Sequence, residues 1–82
     1  MNEIKARKIR TAPGMYIILA EAEVDEKYLV VIDDGADKSF IISDTSLYEM
    51  EALSGYEEYP TPPGYEDAFK ALCEVVRILD NN

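Results

Sequence analysis

Eighty-two residues, 48% of them apolar and 30% charged, supply enough hydrophobic material for one small core, expected as a single α+β domain over residues 1–82. Seventeen acids against eight bases give a formal charge of −9, which argues against direct binding to nucleic acid, whose phosphates need neutralising cations. With no histidine and a single cysteine, Cys73, the chain lacks the residues for imidazole acid–base chemistry, Cys-His nucleophiles, an internal disulfide and most zinc sites.

The first ten residues hold Lys5, Arg7, Lys8 and Arg10 against Glu3, a net of +3, which leaves −12 on the remainder. They contain no apolar stretch of the length a signal peptide needs. The longest apolar run, Met15 to Ala20, is six residues, against about 20 for a membrane span. A cytoplasmic protein with no membrane partner is therefore expected. Ile4 and Ile9 anchor either a fourth, edge strand or a short helix, ended by Pro13-Gly14; strand is the preferred reading. Strand alternation then places Lys5 and Arg7 on one face and Lys8 and Arg10 on the other, splitting the basic patch.

From Gly14 the pattern is that of a sheet. Met15-Tyr16-Ile17-Ile18-Leu19-Ala20 is rich in β-formers, and the alternation Glu21, Ala22, Glu23, Val24 predicts a strand with a buried start and an exposed finish. Asp25-Glu26 predicts a hairpin tip, although without the glycine that usually marks one. Tyr28-Leu29-Val30-Val31-Ile32 is almost wholly apolar and reads as the central strand. Asp33-Asp34-Gly35-Ala36-Asp37 supplies turn chemistry before a further strand at Ser39-Phe40-Ile41-Ile42.

The period then changes. Ser46 with Glu49 three residues on forms a capping box, and Leu47, Met50 and Leu53 recur at helical spacing up to Gly55, predicting a short helix. Tyr56-Glu57-Glu58-Tyr59-Pro60-Thr61-Pro62-Pro63-Gly64 reads as a stiff, extended surface connection. Beyond it, Tyr65, Ala68, Phe69, Leu72, Val75, Val76 and Leu79 define one face of a C-terminal helix, with Glu66 and Asp67 in its first turn and Arg77 near its end to suit the helix dipole. The expected fold class is α+β: a two-layer domain in which a three- or four-stranded antiparallel β-meander is covered by the C-terminal helix, with a short second helix.

The search for chemistry excludes more than it finds. Asp33, Asp34 and Asp37 around Gly35 fit a calcium loop poorly, because Phe40, Ile41 and Ile42 occupy the positions of the late ligands. Glu57-Glu58 and Glu66-Asp67 supply carboxylate pairs, but a chain of this size has little room for the cleft that glycoside cleavage requires. No phosphate-binding glycine loop, serine nucleophile motif or nucleotide fingerprint is present. A non-enzymatic protein without metal or cofactor is the expectation.

One window stands out. The 31 residues between Lys38 and Lys70 contain no cation, seven acids and four of the six tyrosines. Carboxylates accept charge-assisted hydrogen bonds from Arg and Lys, and tyrosine offers rigid contact area at low entropic cost. The candidate partner-binding residues are Tyr48, Glu49, Glu51, Tyr56, Glu57, Glu58, Tyr59, Glu66 and Asp67, with Tyr65 assigned to the core. The expected partner is a basic, nucleic-acid-binding protein, blocked by a surface that stands in for phosphates; phage anti-CRISPR and other anti-defence proteins and the antidotes of basic nucleases share this size and acidity. The alternative is a scaffolding subunit acting through its sheet edges, expected at Met15–Val24 and Ser39–Ile42. A monomer or small homo-oligomer suits either.

Overall fold

The computed structural model describes residues 3–49, 58–59 and 64–81. Five strands, β1 (Lys5–Ala12), β2 (Met15–Val24), β3 (Lys27–Asp33), β4 (Lys38–Ser43) and β5 (Glu58–Tyr59), precede one helix, α1 (Glu66–Asp80). Each strand pairs antiparallel with the next, so the sheet order is the chain order. The basic N-terminal segment is the added strand, and the apolar β3 is central. No helix among the described residues is long and apolar enough to cross a membrane.

The helix covers one face. Phe69, Leu72 and Val76 pack on Ile18, Ala20, Ala22, Leu29 and Val31, flanked by Tyr65, Ala68, Cys73 and Leu79. Phe40 of β4 meets Phe69 edge-on, with ring centroids 5.4 Å apart, a geometry that aligns the positive edge of one ring with the negative face of the other. The opposite face carries a second apolar cluster, Leu19, Val30, Ile32, Ile41 and Leu47, with Ile9, Ile17, Tyr28 and Tyr48 around it. Both faces of β2 and β3 thus bury side chains, which explains why β3 reads as a continuous apolar run rather than as an alternation.

Two expectations need correction, and the short second helix is not confirmed. The start of β2 is exposed, with Met15 61% and Tyr16 47% accessible, while Glu21 near its finish is only 4% accessible. Met15 and Tyr16 stand beside the β1–β2 turn, whereas the middle of β2 is flanked by strands on both sides and covered on both faces. The short second helix does not form in the described part of its segment: residues 44–49 are bends and a turn, and its later residues, Met50, Leu53 and Gly55, lie outside the described residues. The Ser46 hydroxyl accepts from the Tyr48 backbone N–H at 3.4 Å and donates to the Glu21 carboxylate at 2.6 Å. Finally, Met15–Val24 and Ser39–Ile42 are interior strands, because β1 and β5 occupy the edges.

The β2–β3 connection is a two-residue hairpin in which Asp25 and Glu26 both have positive φ, 53° and 65°. This left-handed pair matches the twist of the flanking strands, yet costs a non-glycine residue about 1–2 kcal/mol. Glu26→Gly is expected to stabilise the fold by about 1 kcal/mol, a rise in Tm of roughly 4–8 °C. Glu26→Gln, which removes the charge but not the strain, separates the two causes; an equal gain from both in thermal melts would refute the strain account.

Candidate functional site

The antiparallel register gathers acids at one end of the sheet. Glu23 lies opposite Tyr28, and Val24 opposite Lys27, around the Asp25-Glu26 tip; Tyr28 in turn lies opposite Ser43, so Asp44 follows at the same end. The start of α1 also comes here: Glu66, Asp67, Tyr65 and Ala68 share a shallow recess of about 350 Å³ with Val24 and Asp25. A second recess, of about 330 Å³, is lined by Glu3, Lys5, Glu21, Glu23, Tyr28 and Ser46. Eight carboxylates, from Glu3, Glu21, Glu23, Asp25, Glu26, Asp44, Glu66 and Asp67, thereby converge from four separate chain segments, beside Lys5 and Lys27.

Glu21 anchors this acidic pole. Its carboxylate accepts hydrogen bonds from the Ser46 hydroxyl and from the Leu47 backbone N–H, each at 2.6 Å, and among the described residues it forms no ion pair. Burial of a carboxylate is tolerated where its oxygens are hydrogen-bonded. These bonds fix the chain after β4 against β2 and hold Leu47 over the second apolar cluster. Lys27 bridges to Asp44 and ties that same segment to β3. The charge of Glu23, then burial, a hydrogen bond to Glu23 and the charge of Glu21 all push the Tyr28 phenol above its ordinary range, so Tyr28 stays a neutral donor at physiological pH.

The helix start adds a compensating field. Glu66 and Asp67 occupy the first turn of α1, where carboxylates are stabilised by the positive end of the helix dipole. Glu66 also accepts from the Gly64 backbone N–H at 3.2 Å. Their negative charge remains directed to water, since both are exposed.

Of the residues singled out by sequence, Glu66 and Asp67 stand at this pole. Tyr48 and Glu49 follow Leu47 in the turn after β4; Tyr48 is half-buried and lies beneath Lys5 and Arg7, whose charged groups are 5.9 and 5.7 Å from the ring centroid. Glu58 and Tyr59 form β5 opposite Ile41 and Phe40. Glu51, Tyr56 and Glu57 lie outside the described residues. Tyr65 packs against the helix-side core, as expected. Sequence reasoning missed Glu3, Glu21, Glu23, Asp25, Glu26, Tyr28 and Asp44, because it sought acids close together in the chain while the pole is assembled by strand register.

The remaining titratable groups serve the fold. In the β3–β4 turn, Asp33 accepts from the Gly35 N–H, and Asp34 accepts from those of Ala36 and Asp37. The bond to the Asp37 N–H, followed by that to Ala36, holds the Asp34 carboxyl below the usual range. Glu74 pairs with Arg77 through two hydrogen bonds. Burial pushes the half-buried Cys73 thiol up, away from the reactive thiolate. Among the described residues no group of three acids or cysteines is placed to hold a metal ion. The chain matches no protein-family model, no curated protein and no solved structure.

Proposed function

We propose that this chain is a small non-enzymatic binding protein whose acidic pole docks on the cationic surface of a nucleic-acid-handling protein and competes with its phosphates. The observation that carries this reading is the convergence of eight carboxylates from four segments on one end of the sheet. Concentrated charge of one sign raises the rate of encounter with an opposite field, and does so most at low salt. The two recesses offer shape as well: each carries carboxylates and an aromatic ring, Tyr28 in one and Tyr65 in the other, suited to the head and stem of an Arg or Lys side chain. The anti-defence inhibitors and nuclease antidotes act in this manner as a class, and the proposed role is of that kind.

Immobilised chain is expected to retain a basic protein from lysate that is released by added double-stranded DNA at constant ionic strength. Uncharged competitor releases nothing. Retention that is indifferent to DNA but sensitive to salt would show binding away from the partner's nucleic-acid site and would refute the mimicry.

A further inference from the structure

The β1 edge of the sheet carries the opposite sign. β1 ends the sheet, so that among the described residues its outer backbone groups pair with no other strand over Lys5–Ala12. Its four cations, Lys5, Arg7, Lys8 and Arg10, form no ion pair among the described residues, although the chain has 17 acids. Aromatic rings hold three of them instead: Lys5 and Arg7 stand over Tyr48, and Lys8 stands 5.2 Å from the centroid of Tyr16. The Arg7 Nε is buried and has no acceptor.

The geometry points to β1 as the docking site for an extended acidic segment of a partner protein, added to the sheet as a further antiparallel or parallel strand. Edge amides and carbonyls without a strand partner among the described residues supply backbone hydrogen bonds, and side chains directly opposite on neighbouring strands share a face and so set specificity. Lys5 and Arg7 lie on the face bearing Leu19, opposite Glu21 and Leu19, while Lys8 and Arg10 lie on the helix-bearing face, opposite Ile18 and Tyr16. The cation spacing is thus two, one, two. A strand complementary to it carries acids in the pattern Glu-x-Glu-Glu-x-Glu, and because that spacing is symmetric it fits in either strand direction.

Charge on an edge also prevents two copies from pairing edge to edge. An acidic edge would achieve that equally on a chain of charge −9; cations select against a second β1 and at the same time in favour of an acidic strand. At Lys5 the strand adjoins the acidic recess of Glu3, Glu21 and Glu23, whereas Arg7, Lys8 and Arg10 run away from that pole, which requires a partner of the other sign.

Titration of the full chain with acetyl-Thr-Glu-Val-Glu-Glu-Val-Glu-Thr-amide, followed by amide chemical shifts, tests the assignment. The largest shifts are expected along β1. Affinity is expected to fall on the order of tenfold for a peptide of equal charge with its four glutamates at strictly alternate positions, and again on N-methylation of alternate amides. Lys8→Glu with Arg10→Glu abolishes binding while leaving the melting temperature within a few degrees. No binding at millimolar peptide, equal affinity of the three peptides, shifts centred away from β1, dimerisation through β1 in sedimentation, or tighter binding of a DNA oligonucleotide to the same strand would each overturn it.

Discussion

Replacing Leu72 by alanine is expected to lower the melting temperature by roughly 12–40 °C. Leu72 is fully buried in the middle of α1, between Phe69 and Val76, at the contact of helix and sheet. Truncation there loses the transfer free energy of the side chain and leaves a void, together about 3–5 kcal/mol. A domain of this size has only about 5–8 kcal/mol in total, so the variant retains a small margin and unfolds at low denaturant. Ile78, 52% exposed on the same helix, provides the control: Ile78→Ala is expected to change stability by no more than about 0.5 kcal/mol. Equal effects of the two substitutions in urea titrations would show that α1 does not seal the core.

The reason so much of this layout was readable is that β2, β3, β4 and α1 are dictated by local patterns with strong physical causes. Apolar runs flanked by Asp and Gly leave few alternatives to strand and turn, and the spacing Phe69, Leu72, Val76 and Leu79 has only a helical solution. The helix start was legible because Glu66 and Asp67 precede the apolar stripe. Other features depended on contacts between distant segments. Ser46 and Glu49 satisfied a capping rule, but that rule carries no knowledge of Glu21, 25 residues earlier in the chain, whose buried carboxylate takes the Ser46 hydroxyl. Glu21 itself reads as a solvated position on an alternating strand until the chain after β4 is seen to cover it. The acidic pole was hidden for the same reason. A linear window joins neighbouring acids, whereas antiparallel pairing joins Glu23 to the surroundings of Asp44, and helix packing brings Glu66 and Asp67 to Asp25.

Reversal of charge at the pole is expected to have the largest effect on binding. Glu23, Glu66 and Asp67 are exposed and lie outside both apolar clusters, so lysine at these three positions alters the field without opening the core. Affinity for the retained basic protein is expected to fall by on the order of 100-fold or more at low salt, chiefly through slower association. The decisive comparison is with Asp37, Glu74 and Asp80, also exposed. Lysine at those positions produces the same change in net charge but away from the pole; among the described residues it breaks only the surface pair Glu74–Arg77, and such exposed pairs contribute at most about 1 kcal/mol. The second variant is expected to keep affinity within about tenfold of the parent, because screening over a Debye length of about 8 Å limits the reach of distant charges.

The acidic pole as the contact surface is tested most directly by amide hydrogen exchange of the chain, free and in complex with the protein it retains. Slowed exchange confined to Glu21–Tyr28 and Gly64–Ala68 is the predicted result. Protection concentrated instead on Asp34–Lys38 and the last turns of α1, with those two segments unchanged, would contradict it.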